Sequence, residues 1–155
     1  MKKIILISIL VLIVDIITKQ LIVNFMIEHQ SISIIKNFFS ITYAKNTGVA
    51  FSFLEGKVPL IIMMTSIIIF IILKYIKSTN PSKIERICYG LVLGGAIGNL
   101  LDRIIYGYVI DFLDFNIFGY SYPIFNLADT FIVIGIFILI IFSLIESRNK
   151  NEVNK

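Results

Sequence analysis

Four long, predominantly apolar stretches, Ile4–Val23, Val58–Ile76, Ile87–Tyr106 and Ile124–Ile145, decide what this chain can fold into. A hydrocarbon core about 30 Å thick takes about 20 apolar residues to cross as a helix. Inside it the backbone must satisfy its own hydrogen bonds, which a helix does within one segment. The chain has 155 residues, of which 57% are hydrophobic and 15% charged, and a soluble domain would have no use for such long apolar blocks. The expected fold is therefore an all-α membrane protein with four transmembrane helices, a single domain over residues 1–155. The first stretch follows Lys2-Lys3 as a signal peptide would. No small-x-small site comes after it and the run continues through Asp15 and Lys19, so a retained helix is expected.

The basic residues set an orientation. Lys2 and Lys3 precede the first span, Lys74, Lys77, Lys83 and Arg86 flank the turn between the second and third, and Arg148, Lys150 and Lys155 follow the fourth. Cytoplasmic flanks are enriched in Lys and Arg, so both termini and the Lys77–Lys83 turn are expected inside. The net charge of +4 thus reports topology and gives no reason to expect nucleic acid. A long loop over residues 24–57 and a shorter one over 107–123 then face outward. Cys88 cannot form an internal disulfide. Without His or Cys companions it suggests no metal site, and no cofactor is expected.

Within the first outer loop Phe38–Ala44 reads FFSITYA, whose alternation and aromatic, β-branched residues suit a half-buried strand. Val49, Ala50, Phe51, Phe53 and Leu54 form an apolar patch that suits either a short surface helix lying on the membrane or ordinary loop packing.

The polar residues that the spans carry are the informative ones, because an ionisable group at mid-bilayer costs about 2.5–3.5 kcal/mol on insertion scales. Asp15 and Lys19 are four apart and share a helix face, which favours a structural ion pair over direct catalysis. The third span carries Gly90, Gly94 and Gly98 at four-residue intervals with Gly95 beside them, a pattern that lets another backbone approach closely. Asn99, Asp102 and Arg103 cluster on one flank of its outer end. An outer-surface cap and salt bridge accounts for Asp102, but a buried Asn99 needs partners. In the fourth span Asn126, Asp129 and Thr130 face the same way. If that helix starts near Pro123, Asp129 lies about 9 Å inside the outer boundary. Just before it, Val109-Ile110-Asp111-Phe112 sets another aspartate among apolar residues at the membrane surface.

Two carboxylates brought to one level suit acid–base hydrolysis, since a close pair shares a proton and can act as base and acid on a water and a peptide bond. On spacing alone Asp111 also fits an ordinary loop aspartate. Nucleophilic designs lack parts: His29 is in a loop, Cys88 lies toward the inner end, and no serine stands at helical spacing from Lys19. A small proton-coupled transporter is the alternative reading of membrane carboxylates, and it requires a polar path across the whole bilayer. A purely structural protein assembling through the glycine face leaves Asp111 and Asp129 unexplained.

Five segments in order resemble the bacterial lipoprotein signal peptidases, or signal peptidases II: Asp15-Ile-Ile-Thr-Lys19, Asn46-Thr-Gly-Val-Ala-Phe-Ser52, Gly94-Gly-Ala-Ile-Gly-Asn-Leu-Leu-Asp-Arg103, Val109-Ile-Asp-Phe112 and Phe125-Asn-Leu-Ala-Asp129. Val49 and Thr130 depart from the alanine and serine usual in that family. The resemblance implies an aspartic endopeptidase with Asp111 and Asp129 as the catalytic dyad. It also implies that Asp15, Lys19, Asn46, Gly48, Asn99, Arg103, Asn126 and Ala128 shape or support the site. It implies a small β platform and a short surface helix in the outer loops. The implied substrate is a diacylglyceryl-modified prolipoprotein, cut just before its lipidated cysteine. Membrane lipid and globomycin-type cyclic peptide inhibitors are further implied partners. A monomer is expected, in a bacterial inner or plasma membrane, with the active site toward the outer face.

The orientation is testable with Lys155→Cys. An impermeant thiol reagent applied to whole cells should leave that cysteine unlabelled until the membrane is opened, and labelling of intact cells would invert the topology.

Overall fold

The computed structural model describes residues 1–48 and 53–153, with side chains as far as Asn149. Four long helices run through it: α1 (Lys2–Phe25), α2 (Val58–Ser78), α3 (Lys83–Tyr106) and α4 (Leu127–Val153). All four are long and apolar enough to cross a membrane, so the chain is a multi-pass membrane protein. Four strands lie between them in one antiparallel sheet of order β1-β2-β3-β4: β1 (Ser31–Ile35), β2 (Phe39–Asn46), β3 (Val109–Ile117) and β4 (Tyr120–Ser121). The expected strand over 38–44 is β2, and it belongs to the expected β platform. The other three strands come from segments read as loop. The apolar patch at Val49, Ala50 and Phe51 lies outside the described residues, while Phe53 and Leu54 form a turn.

The helix ends have local causes. Pro59 stands in the first turn of α2, where its missing N–H is no loss. Ser82 and Glu85 form a reciprocal capping box on α3, with Glu85 N donating to Ser82 Oγ at 3.3 Å and Ser82 N to Glu85 Oε2 at 2.7 Å. Gly107 ends α3 at φ +78, its N–H donating to Arg103 O at 3.1 Å.

The start of α4 corrects the sequence reading. Residues before Asn126 are extended instead of helical, because Phe125 pairs with β3: Leu113 N donates to Phe125 O at 2.7 Å and Phe125 N to Leu113 O at 3.2 Å. The helix begins instead at a capping box, in which Asp129 N donates to Asn126 Oδ1 at 3.0 Å and Asn126 N to Asp129 Oδ2 at 3.3 Å. Asp129 is therefore in the first turn, about 3 Å past the start of the helix at 1.5 Å per residue, where a start near Pro123 would put it about 9 Å along.

α3 is the hub of the bundle, and its glycines set how closely its neighbours approach. A Cβ on Gly90 would meet Ile7 Cβ at 2.6 Å, and one on Gly94 would meet Ser8 O and Val11 Cβ at 2.7 Å, so this stripe seats α1. Gly95 faces the other way, onto Ala128 O and Ile132 of α4, and Gly135 of α4 answers it against Val92 and Cys88 O. Such close approach is how helices gain packing in lipid, where apolar burial supplies no net drive. α2 packs at one side, where Ile76 joins Ile4 and Leu93 in a small apolar cluster with Ile69, Ile72 and Tyr89 around it.

Gly94→Val would push a branched side chain into the α1 backbone. It should lower the thermal midpoint in micelles by an amount equivalent to about 1–3 kcal/mol, whereas Ile71→Val on the lipid-facing side of α2 should stay within about 0.5 kcal/mol. Equal midpoints for the two variants would show that the glycine stripe does not set the packing.

Candidate active site

The chemistry-bearing residues converge where the ends of α1, α3 and α4 that adjoin the sheet meet the start of β3. Two close approaches permit this. Gly98 leaves no room for a Cβ against the Asp15 carboxylate, so α1 delivers Asp15 and Lys19 directly to α3. Gly95 does the same for Ala128, which is fully buried, and so brings the capped end of α4 opposite Asn99.

Lys19, only 1% exposed, is the centre of the resulting network. Its Nζ donates to Asp15 Oδ2 at 2.8 Å and Asn99 Oδ1 at 2.9 Å, and lies 2.9 Å from Asp102 Oδ2. The expected Asp15–Lys19 pair is present. Asp102 is not a surface cap, however. It is buried, shares Lys19, and accepts from Ile110 N at 3.2 Å, which fixes the start of β3. The sequence reading passed over Asp102 as a site residue although its spacing from Asn99 had placed it on the right flank.

From Asn99 the network reaches both candidate catalytic carboxylates. Asn99 Nδ2 donates to Asp129 Oδ1 at 2.7 Å. Asn126 Nδ2 donates to Asn99 Oδ1 at 3.1 Å and to Asp111 Oδ1 at 2.7 Å. Asn46 Nδ2 closes the other side by donating to Asp111 Oδ2 at 2.8 Å. Two asparagines thus connect Asp111 on β3 with Asp129 on α4. Asp129 keeps part of its surface accessible, while Asp111 is 2% exposed. Burial first, and the like charge of Asp129 second, push the Asp111 carboxyl up to about 7, against the opposing pull of the Asn46 and Asn126 amides and the Lys19 charge.

Arg103 ties the loop after β2 to α3. Its Nη2 donates to Gly48 O at 2.6 Å and its Nη1 to Asn99 O at 3.2 Å. Gly48 N in turn donates to Asn46 Oδ1 at 2.9 Å, which orients the amide that holds Asp111. Gly48 has no space for a side chain, since a Cβ would stand 2.9 Å from Phe53 O.

All ten residues singled out in the sequence therefore meet in one place: Asp15, Lys19, Asn46, Gly48, Asn99, Arg103, Asp111, Asn126, Ala128 and Asp129. Thr130 does not join them, its hydroxyl donating back to Asn126 O at 3.0 Å. Asp114 leaves by the other face of β3 and accepts from Thr42 Oγ1 at 2.7 Å. Among the described residues no three His, Cys, Asp or Glu side chains are grouped so as to hold a metal ion.

Residues 7–145 match the family model described as signal peptidase (SPase) II. The lipoprotein signal peptidase of Staphylococcus haemolyticus is 38% identical over 147 residues, covering 94% of this chain and 92% of the relative. That of Halothermothrix orenii is 43% identical over 133 residues, covering 86% and 89%. A bacterial membrane enzyme solved by the in meso method at 2.3 Å superposes with a TM-score of 0.89 at 36% identity, covering 97% of this chain and 92% of that one. A second, solved at 1.9 Å, gives 0.83 at 36% identity, covering 93% and 94%. With a match that runs from the first helix to the fourth and relatives this similar along nearly their whole length, the chain belongs to the signal peptidase II family.

Proposed function

We propose that this chain removes signal peptides from prolipoproteins as a membrane aspartic endopeptidase, with Asp111 and Asp129 as the catalytic pair. The observation that carries the reading is the Asn99–Asn126 link. It holds one carboxylate on a strand and the other in the first turn of a helix, each with one oxygen bound by a fixed amide. Two carboxylates so placed share one proton. Asp111, whose carboxyl is pushed up to about 7, carries it near neutral pH, while Asp129 takes a proton from water as the oxygen attacks the scissile carbonyl carbon. Asp111 then protonates the carbonyl oxygen, Asp129 passes the proton taken from water to the amine nitrogen as the C–N bond breaks, and a hydroxyl on the same carbon returns a proton to Asp111 as the carboxyl forms, which restores the pair.

The substrate is a prolipoprotein carrying a diacylglyceryl group on the cysteine just after the cut. Such a substrate is anchored by its lipid in the same bilayer, and the site at the helix ends meets a scissile bond held at headgroup level. The basic-residue asymmetry supports a site on the outer face with both termini inside. Globomycin-type cyclic peptides fit as inhibitors that occupy the substrate's place. Nothing favours the transporter reading. α2 has Lys74 and Lys77 as its only charges, both near one end, so no polar path crosses the bundle there.

Asp111→Asn and Asp129→Asn keep side-chain shape but remove the shared proton. Each should lower cleavage of a diacylglyceryl-modified prolipoprotein by a factor on the order of a hundred or more, with the double variant little worse and Asp114→Asn close to normal. In the parent enzyme kcat/KM should fall about tenfold per pH unit above about 7, where Asp111 ionises. Near-normal turnover by either single variant would rule the pair out.

Lys19→Met leaves Asp15 and Asp102 buried without their cation, a loss of roughly 3–5 kcal/mol. It should reduce folded yield far more than it alters turnover by the fraction that folds. A well-folded, wholly inactive Lys19→Met protein would move Lys19 into the chemical step.

A further inference from the structure

Two hairpins of the sheet end side by side, at the end remote from Asp111. Ala44 is opposite Asp111 near one end, while at the other Phe39 is opposite Phe115 and Asn116 N donates to Phe38 O at 2.8 Å. The β1–β2 turn and the β3–β4 turn therefore meet, and large apolar side chains gather on them exposed: Ile35, Phe38, Ile117, Phe118 and Tyr120. Lys36, Asn37 and Asn116 stand among them.

The β3–β4 turn is the telling one. Its two central residues, Phe118 and Gly119, have φ of +52 and +84, the pattern of a type I′ turn. Gly119 suits it. The position before is one for Asn, Asp or Gly, and a bulky residue there is an outlier. Asn116 Oδ1 already accepts from Gly119 N at 2.9 Å, so the turn does not need the phenylalanine. Nor does packing, because Phe118 is fully exposed while its neighbours Phe115, Phe125 and Tyr122 stack among themselves. A fully exposed phenylalanine in a conformation that disfavours it, beside four other exposed large side chains, points to a contact outside the chain.

The bilayer meets the sheet at its other end and midway: only Gly107 and Tyr108 separate the end of α3 from β3, about 11 Å at most, and Leu113 in the middle of β3 pairs with Phe125, two residues before α4, so β3 runs from the end of one spanning helix past the start of another toward the tip. Residues 26–30 and 122–126 tether the sheet to α1 and α4. Phe, Ile and Tyr bordered by a lysine and amides make an interfacial composition, apolar inward and polar at the headgroups. We propose that the paired hairpin tips, centred on Phe118, dock into the interfacial layer of the bilayer that the helices span, on the face from which the sheet emerges. The sheet then lies along the membrane, held at its far end by these side chains and at its near end by the helices. This docking does not depend on the assignment of the catalytic pair.

The chain contains no tryptophan, so a single one reports from one place. Phe118→Trp, reconstituted in phosphatidylcholine vesicles whose acyl chains carry bromine near the headgroup, should emit to the blue of free indole. It should lose half or more of its intensity relative to unbrominated vesicles and resist aqueous acrylamide. Emission at the wavelength of indole in water, open to acrylamide and indifferent to bromine, would overturn the docking. So would blue-shifted emission that bromine does not touch, since that places the tip against another protein or a second copy. Ile117→Trp gives the same readout if Phe118→Trp does not fold. Adding Phe118→Asn to Ile117→Trp keeps a favourable turn residue and should abolish most of the bromine quenching. Full quenching retained in that double variant would show that Phe118 is not the anchor.

Discussion

An ammonium ion removed from water must find an acceptor for each of its three protons, and the rest of this structure follows from how Lys19 does so. Asp15 lies one turn back on its own helix, while Asn99 and Asp102 lie on α3. Holding all three fixes the rotation and height of α1 against α3. The same acceptors then act onward: Asp102 receives the Ile110 amide at the start of β3, and Asn99 passes order to Asp129 and Asn126. Such a network is poor at adding stability, because desolvating the ions costs about as much as their attraction returns. It is good at specifying one arrangement, since any slip would strand a charge in a place without water.

That specification requires backbones closer than side chains usually allow. The glycines of α3 provide the room on two faces at once, Gly90, Gly94 and Gly98 toward α1 and Gly95 toward α4. Gly98 is the point where the two roles meet, for a side chain there would displace the Asp15 carboxylate and with it Lys19. Packing and electrostatics are thus one constraint at this level of the membrane.

On α4 the helix start and the proposed chemistry use the same atoms. Asn126 caps the helix with Oδ1 and spends its amide protons on Asn99 and Asp111. Asp129 completes the capping box with Oδ2 and takes the Asn99 amide on Oδ1. A carboxylate engaged in this way cannot wander, and preorganisation of that kind is what acid–base catalysis needs. On the strand side, Asn46 holds Asp111 and is itself oriented by Gly48, which Arg103 ties back to α3. The β platform is therefore part of the site's geometry.

Much of this was legible in one dimension because bilayer physics is. Span length, the Asp15–Lys19 interval and the glycine repeat each follow from helix periodicity and the thickness of hydrocarbon, so the helices and their polar flanks were readable from residues alone. The five segments that resemble the signal peptidase II family marked out the remaining residues of the site. Three things had to wait for the tertiary structure. Asp102 looked like a surface cap until Lys19 of another helix was seen to reach it, a pairing eighty-three positions apart that no local spacing encodes. β1, β3 and β4 were read as loops because a strand at a membrane surface is defined by its partner, and the Phe125–Leu113 pairing is what delays the start of α4. The distance of Asp129 from the start of its helix changed with it. The sequence determined that carboxylates and amides would stand in the membrane. Which carboxylate meets which amide was decided only when close-packed glycines brought three helices and a strand to one point, because hydrogen-bond partners distant in the chain are chosen by packing and not by periodicity.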